Sequence, residues 1–271
     1  MTFTQRLEAA VATSGSLVCV GLDSDIAKLP AAVDQLAFNK AIVNATHDLV
    51  AAYKPNTAFY EARGAAGVQV LKDTCDYIRM VAPDVLIVLD AKRADIGNTN
   101  TGYVQFAYDY LGADAITLQP YLGGQALEPF LTRADKGAIV LCRTSNDGSG
   151  EFQDQIIGTK KVFEYMAETI ARDWNANKNC MLVVGATYPE EAQAIREAVG
   201  DDMWFLVPGV GAQGGDVAKT MAAAQNSRGD GVLINSSRGV IFASTGPDFA
   251  EVARTVTKTL RDEINTYRKG M

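Results

Sequence analysis

Eight short apolar runs, each followed by a polar or glycine-containing turn, constrain the fold of this chain more than any other feature. They span residues 17–22, 51–55, 85–90, 114–119, 137–142, 180–185, 203–208 and 231–235. Longer amphipathic segments separate them, at residues 31–50, 65–81, 99–111, 123–133, 158–174, 189–199, 215–225 and 247–268. The runs are mostly continuous rather than alternating, as in parallel strands buried on both faces. Helix starts carry fitting signals: Pro189 and Glu190, and likewise Pro247 and Asp248, place proline and acid in a first turn. Eight βα units in 271 residues predict an α/β TIM (β/α)8 barrel with eight parallel strands. The rival, a doubly wound open sheet, usually has fewer strands and a topological switch point. No low-complexity linker divides the chain, so one domain over residues 1–271 is expected. The longest unassigned loop, from Arg143 to about Ile157, is a candidate lid or substrate loop.

Charge and composition narrow the function. The net charge is −7 and no basic face is visible, which argues against a nucleic-acid partner. An anionic ligand would have to be captured by a few local Lys and Arg. No 18-residue apolar stretch exists, so no membrane span is expected. The N-terminus is polar, helical in pattern and lacks an apolar signal-like region, so a cytoplasmic location is expected. Cys19, Cys75, Cys142 and Cys180 show no C-x-x-C spacing and read as buried free thiols. The one histidine, His47, lies in a helical pattern and reads as structural. With no second histidine, paired-histidine metal sites are out, and a catalytic triad would have to use His47.

In such a barrel the chemistry sits at the C-terminal strand ends. Strand one ends in Gly21-Leu22-Asp23 and strand two in Lys54-Pro55-Asn56. Strand three ends in Asp90-Ala91-Lys92-Arg93-Ala94-Asp95 and runs on through Ile96 to Thr99. Strand five ends in Arg143-Thr144-Ser145-Asn146. Asp90 and Lys92 are two apart on a strand and can point to one side. With Lys54 and Asp23 nearby, the mouth would interleave acids and bases, which are costly to bury unless paired. A salt-bridge network that merely closes the barrel top is the bland alternative. After strands seven and eight, glycines at 209, 211, 214 and 215 together with Gln213 and Arg238 read as an anion grip. The alternative is that these glycines only make turns.

The run Asp90-Ala91-Lys92-Arg93-Ala94-Asp95-Ile96-Gly97-Asn98-Thr99, with Lys54-Pro55-Asn56 and Pro208-Gly209-Val210-Gly211-Ala212-Gln213-Gly214-Gly215, resembles the orotidine 5'-monophosphate decarboxylases. Within them it looks like the longer bacterial subgroup often called type 2. The match extends from Gly21-Leu22-Asp23 to Ser237-Arg238-Gly239. The resemblance implies a decarboxylase that works without metal or other cofactor on a small nucleotide monophosphate. It implies that Lys92 protonates C6 of the pyrimidine and that Asp90 lies against the substrate carboxylate. Lys54 would hold Asp90 and a ribose hydroxyl, Asp23 the ribose, Ser145 the pyrimidine, and Gln213 and Arg238 the phosphate. Asp95 and Thr99 would reach into a neighbouring subunit, making the protein a homodimer. One departure stands out: Asp147 occupies a place where the resemblance leads one to expect proline, which should loosen the fifth loop.

Two alternatives share part of this pattern. Sugar-phosphate decarboxylases and hexulose-phosphate synthases resemble the same Asp-x-Lys-x-x-Asp barrel but use magnesium. They would want a further acid near strand one or two, where Glu61 is a poor candidate. A non-catalytic nucleotide-binding barrel would tend to lose charged residues that this chain keeps.

Overall fold

A computed structural model describes residues 1–210 and 215–270. Eight parallel strands close into a barrel: β1 Val18–Gly21, β2 Ala52–Lys54, β3 Leu86–Arg93, β4 Ala115–Leu118, β5 Gly137–Arg143, β6 Cys180–Val184, β7 Trp204–Pro208 and β8 Val232–Ser236. Each strand pairs with its sequence neighbours, and β8 closes on β1 through Val18 opposite Ile234. The strands are buried along nearly their whole length, which is why their sequences read as unbroken apolar runs.

The principal helices are α1 Phe3–Ser14, α2 Gln35–Thr46, α3 Gly64–Val81, α4 Gly97–Val104, α5 Gly124–Leu131, α6 Val162–Thr169, α7 Pro189–Val199, α8 Val217–Ala224 and α9 Phe249–Thr266. The N-terminal helix α1 lies across the bottom of the barrel. Phe3 packs where a side chain on Gly137, at the start of β5, would collide with its ring. Arg6 of α1 and Arg79 of α3 both pair with the buried Asp114, which precedes β4. Such contacts on the closed face of the barrel stabilise it and leave the other face for chemistry. No helix among the described residues is long and apolar enough to cross a membrane. All four cysteines are free and buried.

Several element boundaries differ from those expected. The segment 31–50 is helical only from Gln35, because the Asp34 side chain accepts the Ala37 N–H and caps α2 there. The expected helix over 158–174 starts late. Ile156–Ile157 and Lys160–Lys161 instead form an antiparallel hairpin, turned at Gly158 with φ +65°. Glu164 then accepts the Lys161 N–H and starts α6. The segments 99–111 and 158–174 both end in wide π-helical turns, Gln105–Tyr110 and Ile170–Trp174, which periodicity at 3.6 does not anticipate.

Candidate active site

The C-terminal strand ends surround a cavity of about 640 Å³. Asp23, Lys54, Asp90, Lys92, Ser145 and Arg238 all line it, so the structure brings together six of the nine residues singled out in the sequence. Asp95 and Thr99 do not line it; both stand on the loop and helix that follow β3. Gln213 lies outside the described residues. The flanks of its loop meet where Val210 bridges Gly215, and a side chain on Gly215 would strike Gly209 O at 2.7 Å.

Asp90 is the centre of the charge array. Its Oδ2 accepts from Lys54 Nζ at 2.9 Å and from Asn56 Nδ2 at 3.2 Å. Its Oδ1 accepts from Lys92 Nζ at 2.6 Å and from the Thr117 hydroxyl at 2.9 Å. Burial alone would raise the pKa of this carboxyl, but Lys54 and Lys92 outweigh it and hold the group far below the usual carboxylate range. Burial likewise opposes the Lys54 charge, and Asp90 and Asp23 outweigh it, keeping the ammonium protonated well above its ordinary range. Asp23 Oδ1 lies 4.0 Å from Lys54 Nζ. It is buried without a hydrogen-bond partner among the described residues, and a buried acceptor of this kind is open to a ligand hydroxyl.

Asp90 and Lys92 do pair, as alternation along a strand predicts, but not through a regular strand. Strand β3 does not run on regularly: the register moves from Leu89 opposite Ile116 to Arg93 opposite Leu118. Two extra residues are accommodated, and Lys92 takes a left-handed backbone with φ +47°. A non-glycine residue there is strained and worth a functional question. Asn56 and Thr117 were not singled out in the sequence. Asn56 stood inside the quoted Lys54-Pro55-Asn56 run, so its strand-end position was the available signal; Thr117 gave none.

The fifth loop is more tightly held than the missing proline implied. Asp147–Ser149 forms a 3-10 turn, followed by a short helix, Gly150–Gln153. Gln153 accepts from Thr144 N at 2.9 Å and donates to the Thr144 hydroxyl at 2.8 Å. The buried Arg143 donates to Ser149 Oγ at 2.8 Å and stacks on the Tyr188 ring at 4.0 Å. Ser145 sits against Gly185, where any Cβ would approach its own Cβ to 2.8 Å. Arg238 is exposed at the mouth, and its side chain makes no hydrogen bond or ion pair with the described residues. Glu61 pairs instead with Arg93, and among the described residues no group of three or more His, Cys, Asp or Glu could hold a metal ion.

A parallel barrel whose mouth interleaves two lysines with two aspartates, beside an arginine whose side chain has no partner among the described residues, is the architecture of an enzyme that works through placed charge. The chain belongs to the orotidine 5'-phosphate decarboxylase / HUMPS family, whose model matches residues 16–255. It is 46% identical to the orotidine 5'-phosphate decarboxylase of Cellvibrio japonicus, over 99% of this chain and all of that one. It is 48% identical to that of Herpetosiphon aurantiacus, over 94% of this chain and 95% of that one. Among solved structures it resembles Leishmania donovani OMP decarboxylase, with a TM-score of 0.86, 36% identity and full coverage of both chains. It also matches L. donovani UMP synthase, with a TM-score of 0.88 and 40% identity, covering 99% of this chain and 57% of that one.

Proposed function

We propose that this protein decarboxylates orotidine 5'-phosphate to uridine 5'-monophosphate, without metal or organic cofactor, and that Lys92 protonates C6. The observation that carries this reading is the 2.6 Å contact between Lys92 Nζ and an ionised Asp90 inside the cavity. Breaking the bond from C6 to the carboxylate releases carbon dioxide and leaves an electron pair on C6. That pair takes a proton from the Lys92 ammonium, which then recovers one from water. A cation fixed beside the developing charge stabilises it more in the transition state than in the ground state.

Asp90 has the complementary task. Four donors keep it ionised, so it meets the substrate carboxylate as a like charge. At about 4 Å and an effective dielectric near 20, that repulsion is on the order of 4 kcal/mol. It is relieved as neutral carbon dioxide departs. Asp23 and Lys54 hold ribose hydroxyls, Ser145 the pyrimidine, and Arg238 with Gln213 the phosphate. The side chains of Asp23, Lys54, Asp90 and Lys92 sum to zero charge, so Arg238 supplies the excess positive charge that a phosphate needs.

Asp95 and Thr99 act in a neighbouring subunit's site. Both lie outside their own cavity. The loops after β3 and β4 also expose Ile96 at 63% and Tyr121 at 92%, apolar surface that a second copy would cover.

The test is spectrophotometric loss of orotidine 5'-phosphate with matching formation of uridine 5'-monophosphate, with and without a chelator. Absence of turnover by the purified protein sinks the reading, and loss of turnover on chelation returns it to the magnesium-dependent barrels. Lys92→Ala should abolish turnover while retaining nucleotide binding; near-normal kcat would remove Lys92 as the proton donor.

A further inference from the structure

The left-handed backbone of Lys92 places its N–H outside the regular β3–β4 ladder. Ile116 still faces Leu89 and Leu118 faces Arg93. On β4, therefore, one residue, Thr117, stands opposite the whole Asp90–Lys92 excursion. Thr117 is 1% exposed. Its hydroxyl accepts the Lys92 N–H at 2.9 Å and donates its own proton to Asp90 Oδ1 at 2.9 Å. The same Oδ1 receives the Lys92 ammonium at 2.6 Å. The contacts close a ring: Lys92 backbone to Thr117 hydroxyl, hydroxyl to Asp90, Asp90 back to the tip of the Lys92 side chain.

We propose that Thr117 is a positioning residue which, through this ring, fixes both the backbone of Lys92 and the carboxylate oxygen on which its ammonium rests. This rests on the reading of Lys92 as the proton donor. A hydroxyl is required because it must accept and donate at once. Valine has nearly the same shape and can do neither. Without the hydroxyl, the part-buried Lys92 N–H loses its partner and the buried Oδ1 of Asp90 loses a donor. The ammonium tip is then set by Asp90 alone, on a side chain with four rotatable bonds. Substrate binding away from this ring is untouched, so the defect falls on the chemical step.

The experiment compares Thr117→Val with Thr117→Ser. Thr117→Val should lower kcat about ten- to hundredfold, the range for losing a hydrogen bond to a charged group. Its affinity for uridine 5'-monophosphate should stay within about threefold of wild type, since bound product does not call on the proton of Lys92. Thr117→Ser should recover most of the rate. Competitive labelling of Lys92 by acetic anhydride, read by mass spectrometry, should be faster in Thr117→Val and near wild type in Thr117→Ser. Wild-type kcat in Thr117→Val, equal impairment of the two variants, or nucleotide affinity falling in step with kcat overturns the proposal. If the wild-type protein does not turn over orotidine 5'-phosphate, the decarboxylase reading fails, and Lys92 labelling still decides what Thr117 does. Should Thr117→Val prove insoluble, Thr117→Ala removes the same hydroxyl.

Discussion

Lys92 carries its charge on a strained backbone, and that strain is measurable by comparing Lys92→Gly with Lys92→Ala. Both variants delete the ammonium and the stem, and both leave Asp90 with Lys54, Asn56 and Thr117 as donors. They differ only in what φ +47° costs them. A non-glycine residue in the left-handed region is disfavoured by about 1–2 kcal/mol. Glycine loses more chain entropy on folding, which returns roughly 0.5–1 kcal/mol in favour of alanine. The balance favours Lys92→Gly over Lys92→Ala by up to about 1.5 kcal/mol. For a chain of 271 residues the unfolding entropy is about 0.6 kcal/mol per kelvin, so Tm should be higher by up to about 3 °C. Paired thermal and urea melts at one protein concentration resolve such a difference. In a regular strand the order would be reversed, so the sign decides the matter. If Lys92→Gly is the less stable variant, the backbone at Lys92 is not strained and the account of β3 is wrong. Neither variant should turn over substrate.

The other predictions address binding, packing, subunits and pH. Arg238→Ala should raise KM by about ten- to hundredfold, the loss of one or two charge-assisted contacts, with a smaller fall in kcat; an unchanged KM would separate Arg238 from the phosphate. Gly185→Ala should push Ser145 out of place and lower kcat/KM by up to about 100-fold, with circular dichroism unchanged; full activity would mean that the Ser145 position is not critical. Mixing Lys92→Ala and Asp95→Ala subunits should restore part of the activity through one intact hybrid site, and no recovery in verified heterodimers would return Asp95 to its own chain. Burial pushes the thiols of Cys19, Cys75, Cys142 and Cys180 from 9.0 up to about 12. A thiol that stays neutral in the fold but ionises when unfolded favours folding fully below pH 9 and loses that contribution as pH rises towards 12. Denaturant midpoints should therefore fall across that interval, and iodoacetamide at pH 8 should modify none of the four thiols in native protein; rapid modification of any one contradicts its burial.

Much of the fold is local information. The runs at 137–142 and 180–185 became strands within a residue of those bounds, and Pro189 begins α7 where the proline and acids place a helix start. The hairpin at Ile156–Lys161 was less legible. Four pairing residues around one glycine are too few to show a period of two against the helical pattern that follows. The π-helical turns escaped for a related reason, since a single wide turn alters the stripe of buried residues only after the helix has been read.

The site divides in the same way. By itself the sequence determined the barrel, its polar end, and the presence there of Asp23, Lys54, Asp90, Lys92, Ser145 and Arg238, because strand ends follow from local apolar periodicity and the family pattern names the rest. Only the tertiary structure decided how these groups meet. The donors on Asp90 come from Lys54, Asn56 and Thr117, which are 36, 34 and 27 residues away in the chain, as well as from Lys92 two residues on. It also decided that Lys92 reaches Asp90 through a left-handed backbone and not through simple alternation, and that Asp95 and Thr99 stand outside their own cavity. Such features depend on register between strands and on closure of the barrel. Those are set by packing summed over the whole core, and no window of sequence contains them.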